Sequence, residues 1–276
     1  MPISLNGNGY NKISEKGPGS PFSIQQNQQR LSSGRRLNSS ADDPAGFAIS
    51  ESLEALTRSL AVASRNSTGG VSLASVREGA LSSVGELTLR MRELAIQAAD
   101  GALSATDRGF LDTEFQQLKE EVGRVSGSAE FNGQKVLSGS PGEVNIQVGT
   151  GSSASDQIAI KTGGVDSTSL GLDSLSLAGS DGASALAALD GIDGAQAAVN
   201  AARADNGATL NRLAEAQQST LDRRTSLLSA NSAIRDTDYA QETANRARNQ
   251  VLEAARISVA SAANHAAALV LNLLNR

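Results

Sequence analysis

The chain has 276 residues and a formal net charge of −5, with no Cys, no Trp, two Tyr and five Phe. That length allows one or two domains, but aromatic anchors for a ligand-binding core are scarce, and the Ala, Leu and Val that dominate the apolar set suit long helices packed on one another. The missing cysteine excludes disulfides and thiolate metal sites, and interspersed charges without a basic, aromatic-laced stripe argue against nucleic-acid binding.

The opening text MPISLNGNGYNKISEKGPGSPF has no basic segment followed by an apolar core, so it does not read as a cleaved Sec-type signal peptide, and export would need another route. Gly7, Gly9, Gly17-Pro18-Gly19 and Pro21 interrupt a helix there, because proline lacks an amide donor and clashes with the preceding turn. The first helix is therefore expected from about Phe22. Gly34 predicts its stop, since glycine enters the left-handed region without steric penalty. Asp42 or Asp43 can accept from the free amides of a second helix whose first turn holds Pro44. Arg30–Ser50 thus predicts a connection between two helices.

Ile49, Leu53, Leu56, Leu60 and Ala63 recur in alternating steps of four and three, and the pattern resumes at Leu81, Val84, Leu87, Met91, Leu94 and Ala98, which predicts a long helix seam. Asp100-Gly101 closes it, Ser104 or Thr106 can cap a third helix, and Leu111, Phe115, Leu118, Val122 and Val125 continue the same steps. Asn132-Gly133 predicts a hairpin, and Val144, Ile146 and Val148, then Ile158 and Ile160, alternate as half-buried strands do. From 149 to 182 the Gly, Ser, Asp and Thr content predicts turns and exposed loops, an outer tip.

Helical text returns with Leu186, Leu189, Ile192, Val199, Leu210, Leu213, Leu221, Leu227 and Ile234. Gln196, Arg203, Asn206, Gln217 and Asn231 fall on or near that seam, which predicts a wet helix in a multi-helix bundle. Leu252, Ala255, Val259, Ala262, Ala266, Leu269 and Leu273 form a cleaner apolar stripe, and a stripe at an exposed terminus needs a partner. The longest apolar run, Ala266–Leu271, has six residues against the roughly 18 needed to span a bilayer. The expected fold class is mainly α, a long antiparallel helical bundle with coiled-coil spacing, paired terminal helices and a small β-hairpin region.

Enzyme signals are absent. His265 is the single histidine and lies in the terminal helix, so a His-His zinc motif is impossible, and no GxxxxGK[ST] phosphate loop occurs. No catalytic, cofactor or metal residue is assigned. Asn38-Ser39-Ser40 and Asn66-Ser67-Thr68 match the short N-glycosylation sequon, while hydroxyls between Thr150 and Ser180 are the better modification candidates.

Specific blocks go beyond periodicity. Arg30-Leu31-Ser32-Ser33-Gly34, Arg36-Leu37-Asn38-Ser39 and Ala41-Asp42-Asp43-Pro44-Ala45-Gly46 resemble the amino-terminal signature of bacterial flagellins. Arg65-Asn66, Glu78–Leu81, Met91–Gln97, Arg124–Ser126, Phe131–Gly133, Ile146–Gly149 and Ser169–Asp173 resemble further blocks in the family's order. Ser232–Ala240 with Glu242 resembles its carboxy-terminal signature.

The resemblance implies a subunit of the flagellar filament for swimming motility, in a short form lacking large outer domains, secreted without a cleaved signal peptide. It implies an inner terminal-helix domain of residues 1–41 and 238–276, and a wall domain over 42–237 with its β element near 131–178 and loop near 149–182. The stripe from Leu252 to Leu273 would be the polymerisation interface. Expected partners are further copies of the chain, the export apparatus and an export chaperone, and hook-associated and cap proteins, with no membrane and no nucleic acid. Arg90, Leu94 and Glu114 match positions through which the animal innate flagellin receptor recognises many members. The alternatives are a hook–filament junction protein and a secreted adhesin that binds through the loop near 149–182. The intact central FNG and IQVG-like blocks favour the filament subunit.

Overall fold

The computed structural model describes residues 17–274, with side chains described apart from Asn264 and residues 267–274. In chain order it contains α1 (Pro21–Ser33), α2 (Pro44–Ala98), α3 (Ala105–Ser128), β1 (Glu130–Phe131), β2 (Gln134–Lys135), β3 (Gly142–Gln147), β4 (Gln157–Thr162), α4 (Ala183–Arg235) and α5 (Tyr239–Leu274). The mainly helical class with a small β region is the one found. Helix α1 begins one residue before the expected Phe22, with Ser20 as N-cap and Pro21 in the first turn. The expectation for the glycines at 7 and 9 lies outside the described residues.

Two compact units are present: residues up to Thr57 joined by those from Thr225, and Arg58–Arg224. Helices α2 and α4 contribute to both, so these boundaries fall inside helices. The boundary expected from the sequence lies at the helix breaks near 41 and 238.

In the larger unit, α2 buries Leu60, Ala63, Ser67, Gly70, Ala74, Arg77, Leu81, Val84, Thr88, Met91, Ala95 and Ala98. These alternate in steps of three and four, the spacing that keeps one helix face on its partner. That partner is α4, which runs the opposite way: Arg92 meets Asp193, and Ala74 meets Asn206. The α4 seam agrees with the expected one at Ile192, Val199, Asn206 and Leu213 and departs from it elsewhere. Ala185, Ala188, Ile192, Ala195, Val199, Asn206, Leu213 and Thr220 are buried, while Leu186 is 57% exposed and Leu221 also faces out. The seam is set by small residues that let two backbones approach, so the larger leucines one position later turn away from it.

Helix α3 closes this unit. Ser104 and Asp107 form a capping box, each accepting the other's amide hydrogen, and Phe115 and Val122 enter the core. Buried Arg108 donates through Nε to Ala98 O at 2.9 Å and through Nη2 to Asp100 O at 2.8 Å, satisfying carbonyls that the end of α2 leaves open. Asn132 and Gly133, at φ 50° and 78°, make the two-residue turn between β1 and β2. Val144 stands opposite Ile160 and Ile146 opposite Ile158, as their alternation requires.

The segment from 149 to 182 is not the uniformly exposed loop expected from composition. It contains β4, and Val165, Leu170, Leu172 and Leu177 are buried in the same core. Asp112 holds its last part: Oδ1 accepts from Leu177 N at 2.7 Å, Ser176 Oγ at 3.0 Å and Gln116 Nε2 at 3.1 Å. Burial pushes the Asp112 carboxyl up, but those hydrogen bonds outweigh it and hold the group below the usual carboxylate range.

Candidate functional site

The smaller unit pairs α1 with α5 and carries the breaks that follow α1 and precede α5. Gly34, at φ 69°, ends α1. Arg36 N and Leu37 N donate to Arg235 O at 2.7 and 3.5 Å, and Thr237 N donates to Gly34 O at 3.0 Å. The two signature blocks are thus two sides of one joint. Asp42 Oδ2 accepts from Asn38 N at 3.0 Å and Ser39 N at 3.1 Å, and Asp43 Oδ1 accepts from Gly46 N at 3.1 Å as the cap of α2. Of the two aspartates, Asp43 caps and Asp42 folds the loop. Burial raises the Asp42 carboxyl, but its bonds to Asn38, Gln26 and Ser39 prevail and lower it overall.

Arg235 fastens the other side. Its Nη1 lies 2.7 Å from Glu54 Oε2 and 3.2 Å from Glu51 Oε1, and its guanidinium sits 5.9 Å from the Phe47 ring centre. Ile49, expected on the seam here, is exposed. Ser50 is buried beside it and donates to Asn231 Oδ1 at 2.8 Å. The polar residue takes the inward position because Asn231 waits there as its partner.

Between α1 and α5 lies a polar layer that the periodicity did not reveal. Asn249 Nδ2 donates to Asn27 Oδ1 at 2.7 Å, Asn27 Nδ2 donates to Glu242 Oε1 at 2.5 Å, and Gly19 N donates to Asn249 Oδ1 at 3.2 Å. Asn27 and Glu242 are buried, so this chain of donors and acceptors is satisfied in only one register of the pair. In the sequence these three lie among other polar residues, Gln25, Gln26, Gln28 and Gln29 around Asn27 and Arg248 and Gln250 around Asn249, so nothing marks them out.

Past this layer α5 has little cover. Residues 254–263, His265 and Ala266 are exposed, and Val251, Ile257 and Val259 stand at 70%, 64% and 68% exposure. Leu252, Ala255 and Val259 of the expected stripe, with Gly19, Pro21 and Ala263, line an open apolar groove of about 600 Å³. Ala262 and Ala266 are exposed on the same helix, while the side chains of Leu269 and Leu273 lie outside the described residues. Val251 and Ile257 extend the apolar surface beyond the predicted stripe. Val251, Ile257 and Val259 thus leave large aliphatic groups of one helix facing water.

Arg90 and Glu114 lie together on the surface of the larger unit. Arg90 Nη2 is 2.8 Å from Glu114 Oε1, and Nη1 is 3.0 Å from Glu93 Oε2. These two acids hold the Arg90 guanidinium above its usual range, Glu114 first. Leu94 does not join them at the surface, because it is buried in the core of the larger unit. Among the described residues no group of His, Asp and Glu could hold a metal ion, and no helix is long and apolar enough to cross a membrane.

Residues 19–141 match the family model of the bacterial flagellin N-terminal helical region, and residues 189–274 match that of the bacterial flagellin C-terminal helical region. The chain is 37% identical over 250 residues to a flagellin of Halalkalibacterium halodurans, covering 91% of each. It is 35% identical over 265 residues to the flagellar filament 30.7 kDa core protein of Treponema maltophilum, covering 91% of this chain and 92% of that one. A solved structure described as a flagellar hook-associated protein of Vibrio parahaemolyticus is similar at a TM-score of 0.61 and 18% identity, over 71% of this chain and 100% of that one, a likeness of fold alone.

Proposed function

Because this chain belongs to the bacterial flagellin family and is a structural subunit of the extracellular flagellar filament, we propose that its copies join through the exposed apolar surface of α5. The stripe Leu252, Ala255, Val259, Ala262, Ala266, Leu269 and Leu273 then lies between subunits, with Val251 and Ile257 reaching a further neighbour. The carrying observation is the exposure of Val251, Ile257 and Val259 on a helix that is otherwise ordered by its pairing with α1. Covering a fully exposed Val or Ile contributes about 1.5–3 kcal/mol before ordering costs, so several per subunit suffice to drive self-association.

In this reading residues 1–41 and 238–276 form the inner layer of the filament and 42–237 its wall. Export without a cleaved signal peptide, through the flagellar export apparatus with a chaperone, and contact with cap and hook-associated proteins belong to the same proposal. The hook-junction alternative has only a fold-level likeness at 18% identity in its favour. The adhesin alternative keeps only part of its loop near 149–182, since Val165, Leu170, Leu172 and Leu177 anchor the second half to the core.

Recognition by the animal innate flagellin receptor is a second reading, favoured by the exposed Arg90–Glu114 pair. Buried Leu94 would serve it by supporting that surface from beneath.

The test of assembly is seeded polymerisation followed by negative-stain electron microscopy. The full chain is expected to give filaments and a chain ending at Val251 only monomers. Filaments from both would remove α5 from the interface, and monomers from both would remove the polymerisation reading.

A further inference from the structure

The dipeptide Asn-Gly occurs twice among the described residues, and the fold treats the two copies differently. Asn132-Gly133 makes the turn between β1 and β2, at φ 50° and 78°. Both residues are exposed, and a side chain at 133 would meet no atom within 4 Å. Among the described residues neither the Asn132 side chain nor the Gly133 amide has a hydrogen-bond partner. Asn206-Gly207 lies inside α4 instead. Asn206 is 1% exposed, and its Nδ2 donates to Ala74 O at 2.9 Å and to Glu78 Oε2 at 3.1 Å. The Gly207 amide belongs to the helix ladder.

Asparagine before glycine is prone to close on the main chain, because no Cβ shields the amide that follows it. Gly133 N gives up its proton and attacks Asn132 Cγ, forming a five-membered succinimide as the side-chain nitrogen leaves with that proton as ammonia. Water then adds to a ring carbonyl and breaks its bond to Gly133 N. Opening at Cγ leaves aspartate, and opening at the main-chain carbonyl leaves isoaspartate, in which the chain runs through the side chain. One water enters, one ammonia departs, and nothing is oxidised or reduced.

The closed turn does not align the two groups, so the reaction runs through an opened hairpin. Opening is easy at 132. Strands β1 and β2 have two residues each, extended by Val136 N donating to Ala129 O at 3.1 Å and by an exposed Lys135–Glu130 ion pair. Such a short two-stranded ribbon is marginal by itself, and a surface ion pair adds little. At Asn206 the same attack has to break a helix interior and a buried seam.

We infer that Asn132-Gly133 is a spontaneous deamidation site in the folded chain, and that the fold holds Asn206-Gly207 inert. The product places a new negative charge in the groove of about 450 Å³ that Asn132 shares with Arg65 and Gln134. Isoaspartate also adds one atom to the main chain, which is incompatible with the two-residue turn that sets Phe131 opposite Gln134.

The unpolymerised full chain is incubated in mildly alkaline buffer, with and without guanidinium chloride, and digested with trypsin at intervals against a zero-time sample. Val125–Lys135 carries Asn132 and Ala204–Arg212 carries Asn206, so mass spectrometry follows each site alone, with electron-transfer fragmentation to separate isoaspartate from aspartate. Asn6-Gly7 and Asn8-Gly9 lie outside the described residues and fall in another peptide. In the folded chain Asn132 is expected to react on the order of 100-fold faster than Asn206 and to give isoaspartate as well as aspartate. In denaturant the two rates are expected to converge, because the same glycine follows both. Equal rates in the folded chain, or an Asn132 that stays intact until the chain is unfolded, overturns the site. Aspartate without isoaspartate overturns the ring route. None of these outcomes depends on whether the chain polymerises.

Discussion

Val259→Asp is expected to leave the monomer folded and to abolish filaments. Val259 is 68% exposed on α5, so the substitution removes no core contact, and surface changes of this kind usually stay within about 0.5 kcal/mol. In the filament the same position would bury a carboxylate without a partner. Even a few kcal/mol per subunit raises the critical concentration on the order of 100-fold or more. Circular dichroism of the monomer checks the first half, and sedimentation after seeding checks the second. Filaments at the wild-type concentration would take Val259 out of the interface. Val259→Leu is expected to assemble, because it keeps the apolar surface that the account requires.

The second large effect is on stability. Phe115→Ala is expected to destabilise the larger unit by about 3–5 kcal/mol, because Phe115 is fully buried among Ala, Leu and Val side chains too small to fill the space it leaves. For a unit of this size that lowers the melting temperature by about 6–20 °C. Phe110, five positions earlier on the same helix, is 71% exposed, and Phe110→Ala is expected to change stability by less than about 0.5 kcal/mol. Thermal unfolding of both variants compares the same chemical change at two positions on α3. Similar losses would mean that the α3 face has been misassigned.

Both α3 outcomes were legible in the sequence, because Phe115 falls on the three-four seam and Phe110 does not. The joint near Gly34 was legible for a similar reason: helix ends demand particular residues, and glycine, aspartate and proline announce them. The partner of that joint was less so. Nothing in RRLN or IRDTD states that Arg235 O receives the amides of Arg36 and Leu37, since backbone pairing leaves no side-chain mark.

The α4 seam was legible at Ile192, Val199, Asn206 and Leu213 and misread elsewhere because leucine was given more weight than alanine. Close helix approach favours alanine at the contact, and the spacing of Ala185, Ala188, Ile192, Ala195 and Val199 holds the register that Leu186 and Leu221 do not. Composition also misled from 163 to 182. Turn residues dominate it, yet Leu170, Leu172 and Leu177 are enough to bind the segment to the core. The terminal stripe was legible as apolar, and its exposure became visible only with the fold. The polar layer at Asn27 was hidden, because a buried polar residue breaks the pattern that sequence reading follows.

The most direct measurement is hydrogen exchange of the backbone amides from Ala254 to Ala263, in the monomer and in the polymer. In the monomer these residues are exposed on a helix without cover, so their amides should exchange far faster than those of the α2 seam. The account predicts that polymerisation slows them by about 100-fold or more as neighbouring subunits bury the stripe. Equal exchange in monomer and polymer, with protection gained elsewhere on the molecule, would contradict α5 as the surface that builds the filament.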